Sequence, residues 1–222
     1  MHIASFRRRC TAALRAVAAA ALVLGARGAA AQAWFYPSFQ VPEIAERDYT
    51  FAVVGAGGAD FLFQWREQMS SDNQLSLDAG LADPKGTSNT KLLIGGQFAR
   101  SVFKATDELP LDMLFTVGAG VAAGDGPDLF RIPVGLSVGH RFELDNEMTV
   151  MPYVHPRLSL DVATGKGSDR TNLSVDFDLG ASITITPKLA LRGSIVVSGN
   201  SAASDAGVGI GLTYTPAGLR SR

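Results

Sequence analysis

The 222-residue sequence predicts an all-β fold, an antiparallel up-and-down barrel of about ten strands. Three observations predict it. The first is alternation: "TNLSVDFDLGASITI" at 171–185 puts Leu173, Val175, Phe177, Leu179, Ala181, Ile183 and Ile185 on one parity. Asn172, Ser174, Asp176, Asp178, Gly180, Ser182 and Thr184 fall on the other. Successive strand side chains point to opposite faces, so this is one strand with an apolar and a polar face. The second is recurrence of such runs, separated by short segments rich in Gly, Asp, Asn, Ser and Pro, the residues of turns. The third is that no 3.6-residue apolar stripe follows the N-terminal segment.

In chain order, residues 1–33 read as a cleaved signal peptide. "RRRC" at 7–10 is a positive start, "AVAAAALVLG" at 16–25 is a short apolar core, and "AQA" at 31–33 supplies small residues before Trp34. The run is too short and too Ala-rich for a good membrane-spanning helix. The only cysteine, Cys10, lies in this segment, so the chain from Trp34 has no disulfide, thiolate or cysteine-metal chemistry. All five basic residues of the first 33 leave with it, so 15 basic face 21 acidic residues, a net charge near −6. An acidic exported chain without basic clusters argues against a nucleic-acid partner.

Residues 34–48 lack a clean period and read as an N-terminal lead-in. The barrel is expected over 49–215, with a tail at 216–222. Strands are read near 49–57, 59–68, 74–83, 90–102, 111–122, 129–142, 148–162, 171–185, 189–198 and 205–215. Eight strands is the alternative if the first two do not both join the barrel. Short connections imply hairpins between neighbours. With the N-terminus starting in the periplasm, the longer Gly-rich loops "DPKGTSN", "AGDGPD", "TGKGSDR" and "GNSAASDAG" share one side. "SSDN", "ELDNE" and "TPK" share the other, with "KATDELP" a longer exception.

The polar face decides which side is wet. A water-facing outer surface is dense in Lys and Glu. Here Lys85, Lys91, Lys104, Lys166 and Lys188 all sit in or beside turns, and the six Glu lie in the lead-in, at strand ends or in turns. The polar parity carries Gly, Ser, Thr, Asn and a few Asp and Arg, such as Gly207, Gly209, Gly211 and Thr213. Small residues of this kind suit the inside of a narrow tube, with the apolar parity toward lipid. Closure leaves no backbone group bare in hydrocarbon. Phe51, Trp65, Phe142 and Tyr214 fall on the apolar parity near periplasmic strand ends, as half of an aromatic girdle. His140 shares that parity. The expected fold is therefore a transmembrane β-barrel, and a soluble lipocalin-like ligand-binding barrel is the alternative.

On the signal, the strand meander and these faces, residues 49–215 resemble the small outer-membrane β-barrel proteins of diderm bacteria, the OmpA/OmpX-like class. The resemblance implies a lipid-embedded barrel with a role that ranges from structural to pore-forming to enzymatic.

The chemistry is expected inside the tube. "MPYVHPRLSLD" at 151–161 puts Tyr153, His155, Arg157, Ser159 and Asp161 on the inward parity. Folding this strand against 171–185 pairs residues whose numbers sum to about 333, so Arg157 faces Asp176 and His155 faces Asp178. Arg192 comes inward from the next strand. Tyr153, His155, Arg157, Asp161, Asp176, Asp178 and Arg192 are thus the expected luminal polar network. It fills the interior with ion pairs, or it forms a charged constriction for small solutes. Ser159 and His155 stand four residues apart, roughly 13 Å along the strand, too far for direct proton transfer. No enzymatic activity, cofactor or metal is expected on these grounds. "GDGPD" at 124–128 reads as a plain loop rather than a Ca²⁺ site, and "GAGGAD" at 55–60 lacks the helix that a phosphate loop needs. Pro133, Pro152 and Pro156 lie within strands and predict irregular pairing. The expected function is a structural envelope barrel or a narrow passive pore, in contact with outer-membrane lipid. An outer-membrane hydrolase acting on lipid or peptide is the alternative.

Overall fold

The computed structural model of the chain describes residues 39–55, 58–84, 90–124, 128–144, 148–165, 169–199 and 204–216. The expected signal peptide, Cys10, Asp125 of the "GDGPD" loop and most of the C-terminal tail lie outside them.

The strands are β1 (Arg47–Gly55), β2 (Gly58–Ser70), β3 (Asn73–Pro84), β4 (Lys91–Phe103), β5 (Asp112–Gly124), β6 (Asp128–Gly139), β7 (Phe142–Glu143), β8 (Thr149–Thr164), β9 (Arg170–Thr186), β10 (Leu189–Gly199) and β11 (Ser204–Tyr214). All pairings are antiparallel. The two-residue β7 pairs with β8 in the register that β6 already holds, Phe142 with Val150 after Gly139 with Tyr153. It is the tail of β6 after a break at His140 and Arg141. Because β1 pairs with β11 and β6 with β8, the sheet closes into a ten-stranded barrel. A closed sheet has no edge to offer to another chain.

Hydrophobic alternation sets the register, and the outside is the apolar side. Leu173, Val175 and Phe177 are exposed, Leu173 by 65%, while Ser174, Asp176 and Asp178 between them are buried. Phe63, Leu81, Ile94 and Ile210 repeat the pattern on other strands. A soluble barrel keeps its charges outside and its apolar residues within. This barrel is the reverse, which removes the soluble lipocalin-like alternative. Trp65, Tyr49 and Tyr214 stand side by side across β2, β1 and β11 at the end where β1 begins and β11 finishes, which extends the expected aromatic row by Tyr49.

Strands run on through Pro84, Gly124, Thr164 and Gly199, one or two residues past their expected ends. The longest stretch between strands is 104–111, at the end where β1 begins and β11 finishes, and it holds the expected longer exception "KATDELP".

The prolines interrupt pairing without shifting it. The β5–β6 ladder skips Ile132 and Pro133, and the β6–β8 ladder skips the positions of His155 and Pro156. Register is identical on both sides of each gap. A ring nitrogen without a hydrogen cannot donate to the ladder.

Candidate functional site: the filled lumen

The β8–β9 register pairs His155 with Asp178 and Arg157 with Asp176. The side chains choose diagonal partners instead. Arg157 Nη2 donates to Asp178 Oδ1 at 2.5 Å. Asp176 accepts from the hydroxyls of Ser159 on β8 and Ser198 on β10. Diagonal neighbours across a ladder lie within reach of long side chains, and two short hydroxyls already hold Asp176. Arg131 on β6 grips Asp161 in a fork, Nε to Oδ1 at 2.7 Å and Nη2 to Oδ2 at 2.8 Å, with Nη1 3.9 Å from Asp176. Ser174 donates to Asp161 at 2.7 Å. Every charged member is buried. Bidentate, charge-assisted bonds of this kind are the strong ones, and they offset the desolvation of buried ions.

His155 is fully buried. Its Nε2 lies 2.9 Å from Thr116 Oγ1 and its Nδ1 3.7 Å from Asp178 Oδ2. Tyr153 lays its ring over Gly180, where a Cβ would meet the ring carbons and hydroxyl at 2.4 Å. Only glycine gives that ring its place.

Five of the seven expected residues thus meet in one network: His155, Arg157, Asp161, Asp176 and Asp178. Tyr153 packs beside it with Val41 and Met151. Arg192 does not join. It is inward, but donates to Asp48 Oδ2 at 2.8 Å and to Thr50 at 3.2 Å, and Thr50 meets Thr213 at 2.8 Å. It pairs with Ser182 of β9, four positions along the strand from Asp178, so the aspartates are out of its reach. Arg131 was legible on the parity of Gly135, Ser137 and Gly139, and Arg66 on the parity opposite Phe61, Phe63 and Trp65.

Residues 39–46 of the expected lead-in have a definite place. The segment 39–46 lies in the lumen and at its mouth. Phe39 is fully buried in one apolar cluster with Ala52, Val54, Leu62, Ala82, Leu93, Ala122 and Val196. Arg66 Nη2 donates to the Phe39 carbonyl at 3.0 Å, Ser137 to the Gln40 carbonyl at 2.6 Å, and Gln97 Nε2 to Gln40 Oε1 at 2.7 Å. Two inward glycines make room for it. A Cβ at Gly209 would stand 2.5 Å from Phe39 Cζ, and one at Gly139 would stand 3.0 Å from Pro42 Cγ. Phe39 has φ 58°, the left-handed region that a bulky residue enters only under constraint. At the mouth Glu43 pairs with Arg141, and the Gln68 amide donates to the Glu46 carbonyl at 2.9 Å. The available signal was the inward face itself: Ala52, Gly207, Gly209 and Gly211 are too small to fill a barrel, so something else must.

A cleft of about 470 Å³ opens at the end where β1 begins, lined by Asp48, Arg192, Thr149, Thr184, Thr213 and the stretch 43–46 among others. A second, of about 640 Å³, lies beside Tyr49, Phe63, Trp65, Leu77 and Ile94. Neither is lined by Thr116, His155, Arg157 or Asp176.

A closed antiparallel barrel with an apolar outside and a charged inside is an outer-membrane β-barrel. No family model and no curated protein matches the chain. Solved structures similar to it include a bacterial polysaccharide outer membrane secretin, with a TM-score of 0.48, 10% identity, and 73% of this chain and 57% of that chain covered. The chain spans less than two thirds of that secretin chain. Others are the N-terminal β-barrel domain of Pseudomonas aeruginosa OprF (0.37, 9%, 78% and 98%) and the KdgM porin in complex with disordered oligogalacturonate (0.39, 9%, 76% and 99%).

Proposed function

We propose that this outer-membrane barrel protein has a structural role in the envelope of a diderm bacterium and is closed to solutes by its own N-terminal segment. The observation that carries this reading is Phe39, buried among inward residues of β1 to β5 and β10 with Gln40 tied to β4 and β6. Ten strands enclose little more than their own side chains, and wide aqueous channels need about sixteen. Of the two roles expected from the sequence, the passive pore has the weaker support, because the space that would conduct is occupied. The apolar belt suits outer-membrane lipid as the surrounding partner. Thr116, His155 and Asp178 stand in the order of a hydroxyl–imidazole–carboxylate relay. Their burial, with neither of the two clefts described above reaching them, favours a packing role over hydrolysis.

The test is liposome swelling. Vesicles carrying the refolded chain from Trp34 should shrink and stay shrunken in small sugars and amino acids, as protein-free vesicles do. Re-swelling at the rate of a porin control would overturn the reading.

A further inference from the structure

The outward face of β1 to β4 is not an even apolar wall. Register sets Phe63, Ala79 and Ile94 in one row across β2, β3 and β4, and Trp65, Leu77 and Gly96 in the next. Ala79 and Gly96 are the low points of these rows. A Cβ on Gly96 would meet nothing closer than Leu77 Cδ2 at 3.5 Å. On the β1 side Tyr49 stacks with Phe63, ring centroids 6.2 Å apart. The hollow that results over Ala79 is the cleft of about 640 Å³, within the size range of small-molecule sites.

One end of this hollow is ionic. Arg47 and Glu67 pair across β1 and β2, and both line it. They stand one outward step beyond the Tyr49–Trp65 row, roughly 7 Å along the strands. Aromatic rows of this kind mark the level where headgroups begin, so the pair stands among headgroups and the apolar hollow runs from it toward acyl chains. The two side chains are 34% and 27% exposed, and the Tyr49 phenol lies beside the guanidinium. One positive and one negative group side by side offer little to a headgroup of net charge. They match one that carries both signs, with its phosphate on Arg47 and its ammonium on Glu67.

We infer that this groove binds one phospholipid with a zwitterionic phosphate–ammonium headgroup. The headgroup bridges Arg47 and Glu67, and one acyl chain lies over Ala79 between Trp65 and Ile94. The site is on the outer wall and is independent of whether the lumen is closed.

Trp65 lines the groove, and Trp34 is the only other tryptophan of the chain. In a Trp34→Phe chain, tryptophan fluorescence therefore reports the lipid at the groove. The experiment refolds that chain into vesicles of equal parts phosphatidylethanolamine and phosphatidylglycerol, with heat-shifted gel mobility to establish folding. Brominated acyl chains, which quench tryptophan on contact, are carried by one lipid or by the other. Quenching of Trp65 should be about twice as strong or more when the ethanolamine lipid carries the bromine. Arg47→Gln with Glu67→Gln should remove that preference. Ala79→Phe, which fills the floor of the groove, should remove it with both charges in place. A Leu191→Trp reporter on the lipid-facing side of β10, in a Trp34→Phe/Trp65→Phe barrel, should show no preference. Equal quenching of Trp65 by the two lipids would reduce the site to ordinary belt lipid and overturn the inference. So would a preference for the anionic lipid, one that survives in both folded variants, or one that Leu191→Trp shares.

Discussion

At the scale of single residues, the lumen is a set of buried charges whose partners are fixed by strand register. Arg157 is the clearest case. Its bond to Asp178 lies beside His155 in a site without water access, so removing the guanidinium strands a buried carboxylate. Breaking one partner of a buried pair costs about 3–5 kcal/mol. Arg157→Ala should lower the unfolding free energy of the detergent-folded barrel by that amount in urea titrations, and Arg157→Ala with Asp178→Ala should recover part of it. A loss below about 1 kcal/mol would mean that the pair is hydrated. Gly180 allows a sharper test of packing. Gly180→Ala sets a methyl group against the Tyr153 ring and should cost about 1–3 kcal/mol. Tyr153→Leu in the same chain should remove most of that cost, because the three atoms nearest to such a methyl all belong to the Tyr153 ring and its hydroxyl.

At the scale of elements, strand positions and faces were legible because barrel strands obey a period of two under a hard constraint: a slip of one residue turns every face over. The whole β8–β9 register followed from one hairpin and the sum of its residue numbers, and it places His155 opposite Asp178. Two things were not legible. Composition marked Gly- and Asp-rich stretches as loops, but closure and pairing extend strands into them, as at Gly124 and Gly199. The 39–46 segment has no period because it belongs to no sheet, and its place is dictated by space left elsewhere in the sequence, at Gly209 and Gly139. Arg192 shows the same limit. Parity put it in the lumen, but only the wrap of β1 against β11 brings Asp48 and Thr50 to it.

The connection 104–111 is held by a contact that titrates. Lys104 Nζ donates to Asp72 at 2.7 Å, tying this loop to the β2–β3 turn, and Asp112 accepts from the Ala105 amide. The hydrogen bond from Lys104, and then its charge, hold the Asp72 carboxyl below the ordinary aspartate range. A depressed carboxyl contributes stability that is fully present above the unfolded value, near 3.9, and lost as pH falls through the folded one. An NMR titration should therefore give Asp72 a midpoint below 3.9. Lys104→Ala should return it to the ordinary range, and an unmoved midpoint would mean that the pair does not form in solution.

At the scale of the whole molecule, sequence and structure agree on an inverted protein, apolar outside and ionic inside. The closed ladder leaves no strand edge unpaired, which suits a barrel with an apolar outer belt. Because ten strands leave a lumen too narrow for bulk water yet too wide for alanines and glycines, the chain supplies its own filling. The central claim is that Phe39 is that filling. It is tested most directly by nuclear Overhauser contacts in the refolded protein in deuterium-exchanged micelles. The account predicts contacts from the Phe39 ring protons to Val54 and to the Gly209 α-protons, and contacts from Leu173, Val175 and Phe177 to detergent acyl chains. A Phe39 ring that sees only water or detergent, with Val54 and Gly209 showing no contact to it, would contradict the account.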